Sequence, residues 1–207
     1  MTRQGKIRVW DPAVRLGHWL LVVLFAAAYV SGEGDWELHV YAGYGVLAIV
    51  AFRLLWGLVG THHARFASFL RGPRATLAYL RSFARGRPEH FLGHNPAGGW
   101  MIVILLSLLA LTSWTGLETY GAQGLGPLAQ GGPPPAVAQA RDAGPKRGKR
   151  RRSANEKFWK ELHEGFANAT LLLVLLHVAG AVLSSLVHRE NLVKAMWTGD
   201  KLAGPPA

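Results

Sequence analysis

Nine histidines and one arginine carry the chemistry that can be read from this chain. The histidines stand at positions 18, 39, 62, 63, 90, 94, 163, 177 and 188. His163 and His177 are fourteen residues apart. On a helix that spacing returns to within about 40° of one face, with an axial rise of about 21 Å. One helix would therefore present two imidazoles on the same side at two depths. Each then needs a second imidazole at its own level. The matched depths give His39 to His163 and His18 to His177, so four histidines resolve into two pairs with none left over. Two imidazoles at one level suit the axial positions of a haem in a bundle core. A bare metal such as zinc fits less well, because each level offers only two histidines and no span carries a carboxylate to complete the shell. Taken singly, each histidine is more simply an interfacial or packed side chain; the spacing of the set argues otherwise.

Arg53 lies fourteen residues after His39 and so shares its face one level further along. Two readings stand for it. It pairs with a haem propionate, or it snorkels to the headgroups. Gly17, Gly43, Gly45 and Gly180 lie near the candidate ligands and would let a flat macrocycle approach the backbone, although glycine is also common where membrane helices meet. His62, His63, His90, His94 and His188 fall outside the apolar runs and read as solvated or headgroup-facing, with a quinone-contact role open to one of them.

The elements that must position these groups are long apolar runs. Half of the 207 residues are hydrophobic, and they are gathered rather than dispersed. About 20 apolar residues span a bilayer as a helix. Four such spans are expected, at about 14–30, 38–59, 99–117 and 166–187, within one domain covering 1–207. The first could be mistaken for a signal peptide. It starts instead like a retained helix, with Asp11 as N-cap and Pro12 as the first helical residue. Trp19, Trp36, Trp100, Trp114 and Trp159 lie near span ends, where indoles favour the interface. The segment from Phe66 to Phe83, with apolar residues between arginines, reads as one amphipathic interfacial helix.

The net charge of +11 would suggest nucleic acid in a soluble chain. Here the basic residues flank apolar runs, so bilayer topology accounts for them and no nucleic-acid partner is expected. The basic leader, the arginines between the second and third spans, and Arg189 with Lys194 are expected to place both termini on the cytoplasmic side of the membrane. The cluster from Lys146 to Arg152 opposes this, because the same topology puts it outside. It belongs to a segment, about 118–160, rich in Gly, Pro and Ala, that is expected to be a flexible outer loop. The basic stretch is either a solvated tether or a docking patch for an acidic redox partner or anionic lipid. There is no cysteine, which excludes disulfides, thiolate-held iron–sulfur clusters and covalent c-type haem.

The motifs WDPAVRLGHW (10–19), LHVYAGY (38–44), FRLLWGLVGTHHARF (52–66), GHNPAGGWM (93–101), LHEGFANATLLLVLLH (162–177) and HRENLVKAMWTG (188–199) resemble the bacterial cytochrome b561 and Ni,Fe-hydrogenase-type b cytochrome family. The resemblance covers nearly the whole chain apart from the outer loop and the last residues. It implies an all-α integral membrane four-helix bundle with two non-covalent b haems in its core, and it matches His18, His39, His163 and His177 to the family's ligand positions. It implies electron transfer between quinone and a redox partner: a c-type cytochrome, a hydrogenase or another protein. Two alternatives stay open, a superoxide-oxidising quinone reductase and a haem-bearing membrane anchor of an oxidoreductase. A third, a non-redox membrane adaptor, would hold no haem. A homodimer through a helix face is compatible with all of these. The long basic outer loop departs from the family pattern.

Overall fold

The structure is a computed structural model, and it describes residues 6–86, 91, 93–129 and 146–202. Among them are seven helices: α1 (Pro12–Ser31), α2 (Trp36–Val59), α3 (Phe66–Phe69), α4 (Pro73–Ala84), α5 (Pro96–Ala122), α6 (Lys146–His188) and α7 (Leu192–Thr198). Two short strands, β1 (Lys6–Arg8) and β2 (Asp200–Leu202), pair antiparallel. Four helices are long and apolar enough to cross a membrane: α1, α2, α5, and the Ala154–His188 part of α6.

Helix starts follow local chemistry. Asp11 caps α1 by accepting the Val14 amide at 2.8 Å, and Pro12 opens the helix, as the sequence indicates. Asp35 does the same for α2 through Leu38, and Asn95 for α5 through Gly98, again with proline next in line. Asp11 has a second role. Its other oxygen accepts from Trp56 Nε1 at 2.9 Å and Thr61 Oγ1 at 2.8 Å, tying the start of α1 to the end of α2. Burial pushes the Asp11 carboxyl up, but hydrogen bonds from Val14, Trp56, Thr61 and Ala13 outweigh it and hold the group below its ordinary value.

Helices α1 with α2, α2 with α5, and α5 with α6 pack in sequence order. Val46, Val50, Leu106 and Leu109 form the core between α2 and α5, with Leu21, Leu24 and Phe25 of α1 against them. Thr170 on α6 is fully buried and meets Thr112 on α5 through their hydroxyls at 3.2 Å. Large apolar side chains on the outside remain open, Val30 at 82% and Val59 at 79% among them. In water such a surface would aggregate; in hydrocarbon it is the proper exterior, since only the backbone must be satisfied internally.

The first and last described segments meet at one end of the bundle. The β1–β2 ladder lies there, Val9 and Trp10 donate their amides to Gly199 O, and Arg15 donates to Trp197 O. Gly199 ends α7 with φ +91°, and a Cβ there would crowd Arg15 and Trp10. A buried ion pair, Lys201 to Glu190 at 3.2 Å, locks the tail, and Lys201 also donates to Phe91 O at 3.0 Å. We call this the terminal end and the opposite one the far end.

Three elements differ from the sequence expectation. Helix α5 continues to Ala122, and α6 begins at Lys146, twenty residues before the expected start of the last span. Of the segment expected to be a flexible loop, 118–122 and 146–160 are helical, while 130–145, with the Pro-rich stretch, lies outside the described residues. With 43 residues, α6 is roughly 65 Å long, about twice the hydrocarbon thickness, so its first turns lie beyond the membrane. Finally, the amphipathic segment from Phe66 to Phe83 is two helices. Gly72 and Pro73 interrupt it, because proline cannot donate into a preceding turn and restricts the residue before it.

Candidate functional site

The far-end pair is built from α2 and α6. The His39 and His163 rings have centroids 5.8 Å apart with planes at 88°. His39 Nδ1 lies 2.8 Å from Ala28 O on α1, and His163 Nδ1 lies 2.9 Å from Thr112 O on α5. A backbone carbonyl only accepts, so both Nδ1 atoms carry the proton. Both Nε2 atoms are then left with free lone pairs, as a metal-ligating imidazole requires. The α5 backbone comes close because residue 116 is glycine. A Cβ there would stand 3.0 Å from His163 Cε1.

Beside this pair lies a cavity of about 100 Å³, open at its mouth and mostly apolar. Phe25, Tyr29, Gly43, Leu109 and Gly116 line it together with both histidines. A Cβ on Gly43 would meet no atom within 4 Å, so that glycine opens onto empty space. Tyr29, on the same wall, donates to Asn168 on α6 at 2.8 Å and fixes α1 against α6.

The terminal-end pair joins α1 to α6. His18 and His177 have ring centroids 6.5 Å apart at 57°. Here the His18 Nδ1 is buried with no hydrogen-bond partner. Trp19 packs edge-on to His18 and to Trp197 of α7.

These distances can be tested against a bound metal. A metal-bound imidazole nitrogen sits about 2 Å from the ion, so two rings on opposite sides of one iron have centroids roughly 6 Å apart. Both pairs meet that requirement. Among the described residues there is no group of three or more His, Cys, Asp or Glu that could hold a metal by themselves. Two-imidazole sites suit a metal whose other positions are filled by a macrocycle, and Gly43 leaves open space beside the far-end pair.

Arg53 sits on α2 toward the terminal end. Its guanidinium lies over the Phe66 ring, 4.9 Å from the centroid, and its Nη1 is buried without a partner. It is partly buried rather than extended into solvent.

Sequence reasoning placed one group wrongly. His94 is not solvated. Its ring lies 4.4 Å from Trp10 and 4.6 Å from Phe69, and its Nδ1 is buried and unpartnered. Burial, then the neighbouring charges of Arg53 and Lys201 and the rings of His177 and His63, lowers its pKa to about 3. The signal in the sequence was Asn95-Pro96, the same cap-then-proline pattern as Asp11-Pro12, which fixes the residue before it at a helix entrance. The glycines divide between the two roles the sequence left open: a Cβ on Gly45 would stand 2.8 Å from Leu24 and one on Gly17 3.8 Å from Ile49, so both serve packing between α1 and α2, whereas Gly43 and Gly180 face open space. Gly116 and the carbonyls of Ala28 and Thr112 went unnoticed, since nothing in a one-dimensional pattern marks a backbone acceptor. His62 is exposed and His63 partly so, while His90 lies outside the described residues.

A family model described as prokaryotic cytochrome b561 matches residues 9–199, nearly the whole chain. No curated protein and no solved structure gave a significant match.

Proposed function

Because the chain belongs to the prokaryotic cytochrome b561 family, membrane proteins that bind b-type haem and transfer electrons, we propose that it is a di-haem relay between the quinone pool and a redox partner. His39 and His163 hold one haem at the far end, and His18 and His177 hold the second at the terminal end. The observation that carries this reading is the pair of ring–ring distances, 5.8 and 6.5 Å, at two levels of one helix. Haem, when bound, supplies the one-electron chemistry.

The chain's own residues do the rest. Ala28 and Thr112 carbonyls fix the tautomer and orientation of the far-end rings. Helix α6 sets the separation, since fourteen residues place its two histidines about 21 Å apart along the axis. The walls of the cavity are mostly apolar. Arg53, buried with an unpartnered Nη1, pairs with a propionate. With four spans and the first and last described segments together, the excess of basic residues at that end supports a position on the cytoplasmic side of the inner membrane. The partner, a c-type cytochrome, a hydrogenase or another redox protein, then docks outside, where the sequence Lys146 to Arg152 opens α6.

Pyridine-haemochrome quantitation of the purified protein tests the stoichiometry. Two b haems per chain are expected, and one or none would refute the relay. Reduction of the protein by a quinol tests the partner class.

A further inference from the structure

Buried polar atoms without partners are rare in folded proteins, because leaving them unsatisfied is costly. Among the described residues every such side-chain nitrogen lies toward the terminal end: Arg15 Nε, His18 Nδ1, Trp19 Nε1, Arg53 Nη1 and His94 Nδ1. The far-end histidines, by contrast, both have acceptors. A concentration of nitrogen donors at one level calls for an acceptor with several lone pairs.

Two of these donors are joined by a run of ring contacts. Arg53 rests on Phe66, Phe66 packs against Phe69 at 5.9 Å, and Phe69 packs against His94. Trp10 closes the other side of the His94 ring, and the Asn95 cap fixes the backbone next to it. Neighbouring charged groups are already engaged. Asp11 spends both oxygens on Val14, Trp56 and Thr61, and Lys201 is bound to Glu190 and Phe91 O. Arg53 and His94 keep donor capacity, feel each other's charge and lie within electrostatic reach of His177. The local charge is positive, which favours an anion over a neutral carbonyl. A carboxylate offers about four lone-pair sites, enough for a guanidinium and an imidazole together.

We propose that His94 joins Arg53 in gripping one carboxylate of the haem at the terminal end. This rests on the reading that His18 and His177 hold a haem there. His94 is then a cofactor-binding residue contributed from the entrance of α5, the helix that supplies neither imidazole of that pair.

The test uses His94→Leu, His94→Gln, Arg53→Met and the double variant His94→Leu/Arg53→Met in the full-length holoprotein. Two quantities are measured for each haem: the midpoint potential, resolved by electron paramagnetic resonance during a redox titration, and the rate of haem release to apomyoglobin. Loss of a charge-assisted hydrogen bond should speed release of the terminal-end haem roughly tenfold or more in His94→Leu and in Arg53→Met. Its potential should fall, because an uncompensated carboxylate favours ferric iron, and should acquire a new pH dependence. His94→Gln keeps a donor and should stay near the parent protein. The double variant should lose less than the product of the single effects, since both residues hold one group. The far-end haem should not change, and its retention reports that the bundle is folded.

Absence of a haem that depends on His18 and His177 would remove the underlying reading. A haem that depends on them, with release and potential unaltered in His94→Leu and Arg53→Met, would overturn this proposal alone. Slower quinol oxidation with both haem properties unaltered would also overturn it, and would assign His94 to a quinone instead.

Discussion

Replacing Gly116 with alanine isolates the orientation of one ligand from the stability of the fold. The new Cβ would stand 3.0 Å from His163 Cε1 and 3.3 Å from Nδ1. Carbon atoms pack best at about 3.5–4.0 Å, so the ring must retreat from α5 by roughly 0.5–1 Å. Thr112 O lies one turn earlier on the same helix, and its 2.9 Å hydrogen bond from His163 would lengthen past the range of about 2.7–3.2 Å in which such bonds are effective. Loss of an outer partner of a metal-bound histidine costs on the order of 10- to 100-fold in affinity. The helix itself gains, because alanine is better than glycine in a helix interior by about 1 kcal/mol. Gly116→Ala should therefore keep its helical circular dichroism and the terminal-end haem while the far-end haem becomes 10- to 100-fold easier to remove. The assay is haem per chain by pyridine haemochrome, followed through serial dilution in detergent, with electron paramagnetic resonance to tell the two low-spin centres apart. Full far-end occupancy with an unaltered spectrum would refute the geometry from which the magnitude was worked.

Two further substitutions separate cavity from scaffold. Gly43→Phe fills space in which no atom lies within 4 Å of the added Cβ, so the haem-free protein should fold normally while one haem per chain is lost; retention of both in a haemochrome assay would deny that the cavity houses a macrocycle. Asp11→Asn tests the α1–α2 tie. The folded carboxyl titrates below the ordinary range of an aspartate, so its contribution is complete above that range and is lost as pH falls through the folded value. Thermal melts from pH 6 downward should show an acid-labile part in the parent protein that is absent in Asp11→Asn, and parallel curves would contradict the assignment.

The four spans and the two histidine pairs were legible because each depends on a local period. Apolar length marks a span, and fourteen residues on a helix mark a shared face, whatever surrounds them. Helix ends were less legible. Hydropathy sees only the lipid-crossing part of α6, and its first turns carry Glu156, Lys157, Lys160 and Glu161, which form helix well but are not apolar. The pairs Lys157–Glu161 and Lys160–Glu164, both at 3.6 Å and exposed, decorate that extension without adding much to it. Gly43 and Gly45 look equivalent in one dimension, yet two residues on a helix point about 200° apart, so one opens onto the cavity and the other meets Leu24. His94 was hidden because its burial is made by Trp10 and Phe69, brought from two other parts of the chain. The β1–β2 ladder was hidden for the same reason, since three-residue strands at opposite ends of a sequence carry no periodic signal.

The central claim is that four histidines hold two haems in two pairs. The most direct measurement is the haem content and electron paramagnetic resonance of His18→Ala, His39→Ala, His163→Ala and His177→Ala, each purified as the full chain. The account predicts that His39→Ala and His163→Ala lose the same low-spin signal, and that His18→Ala and His177→Ala lose the other, each variant keeping one haem. A protein that keeps both haems in any of the four, or whose losses group in other pairs, would contradict it.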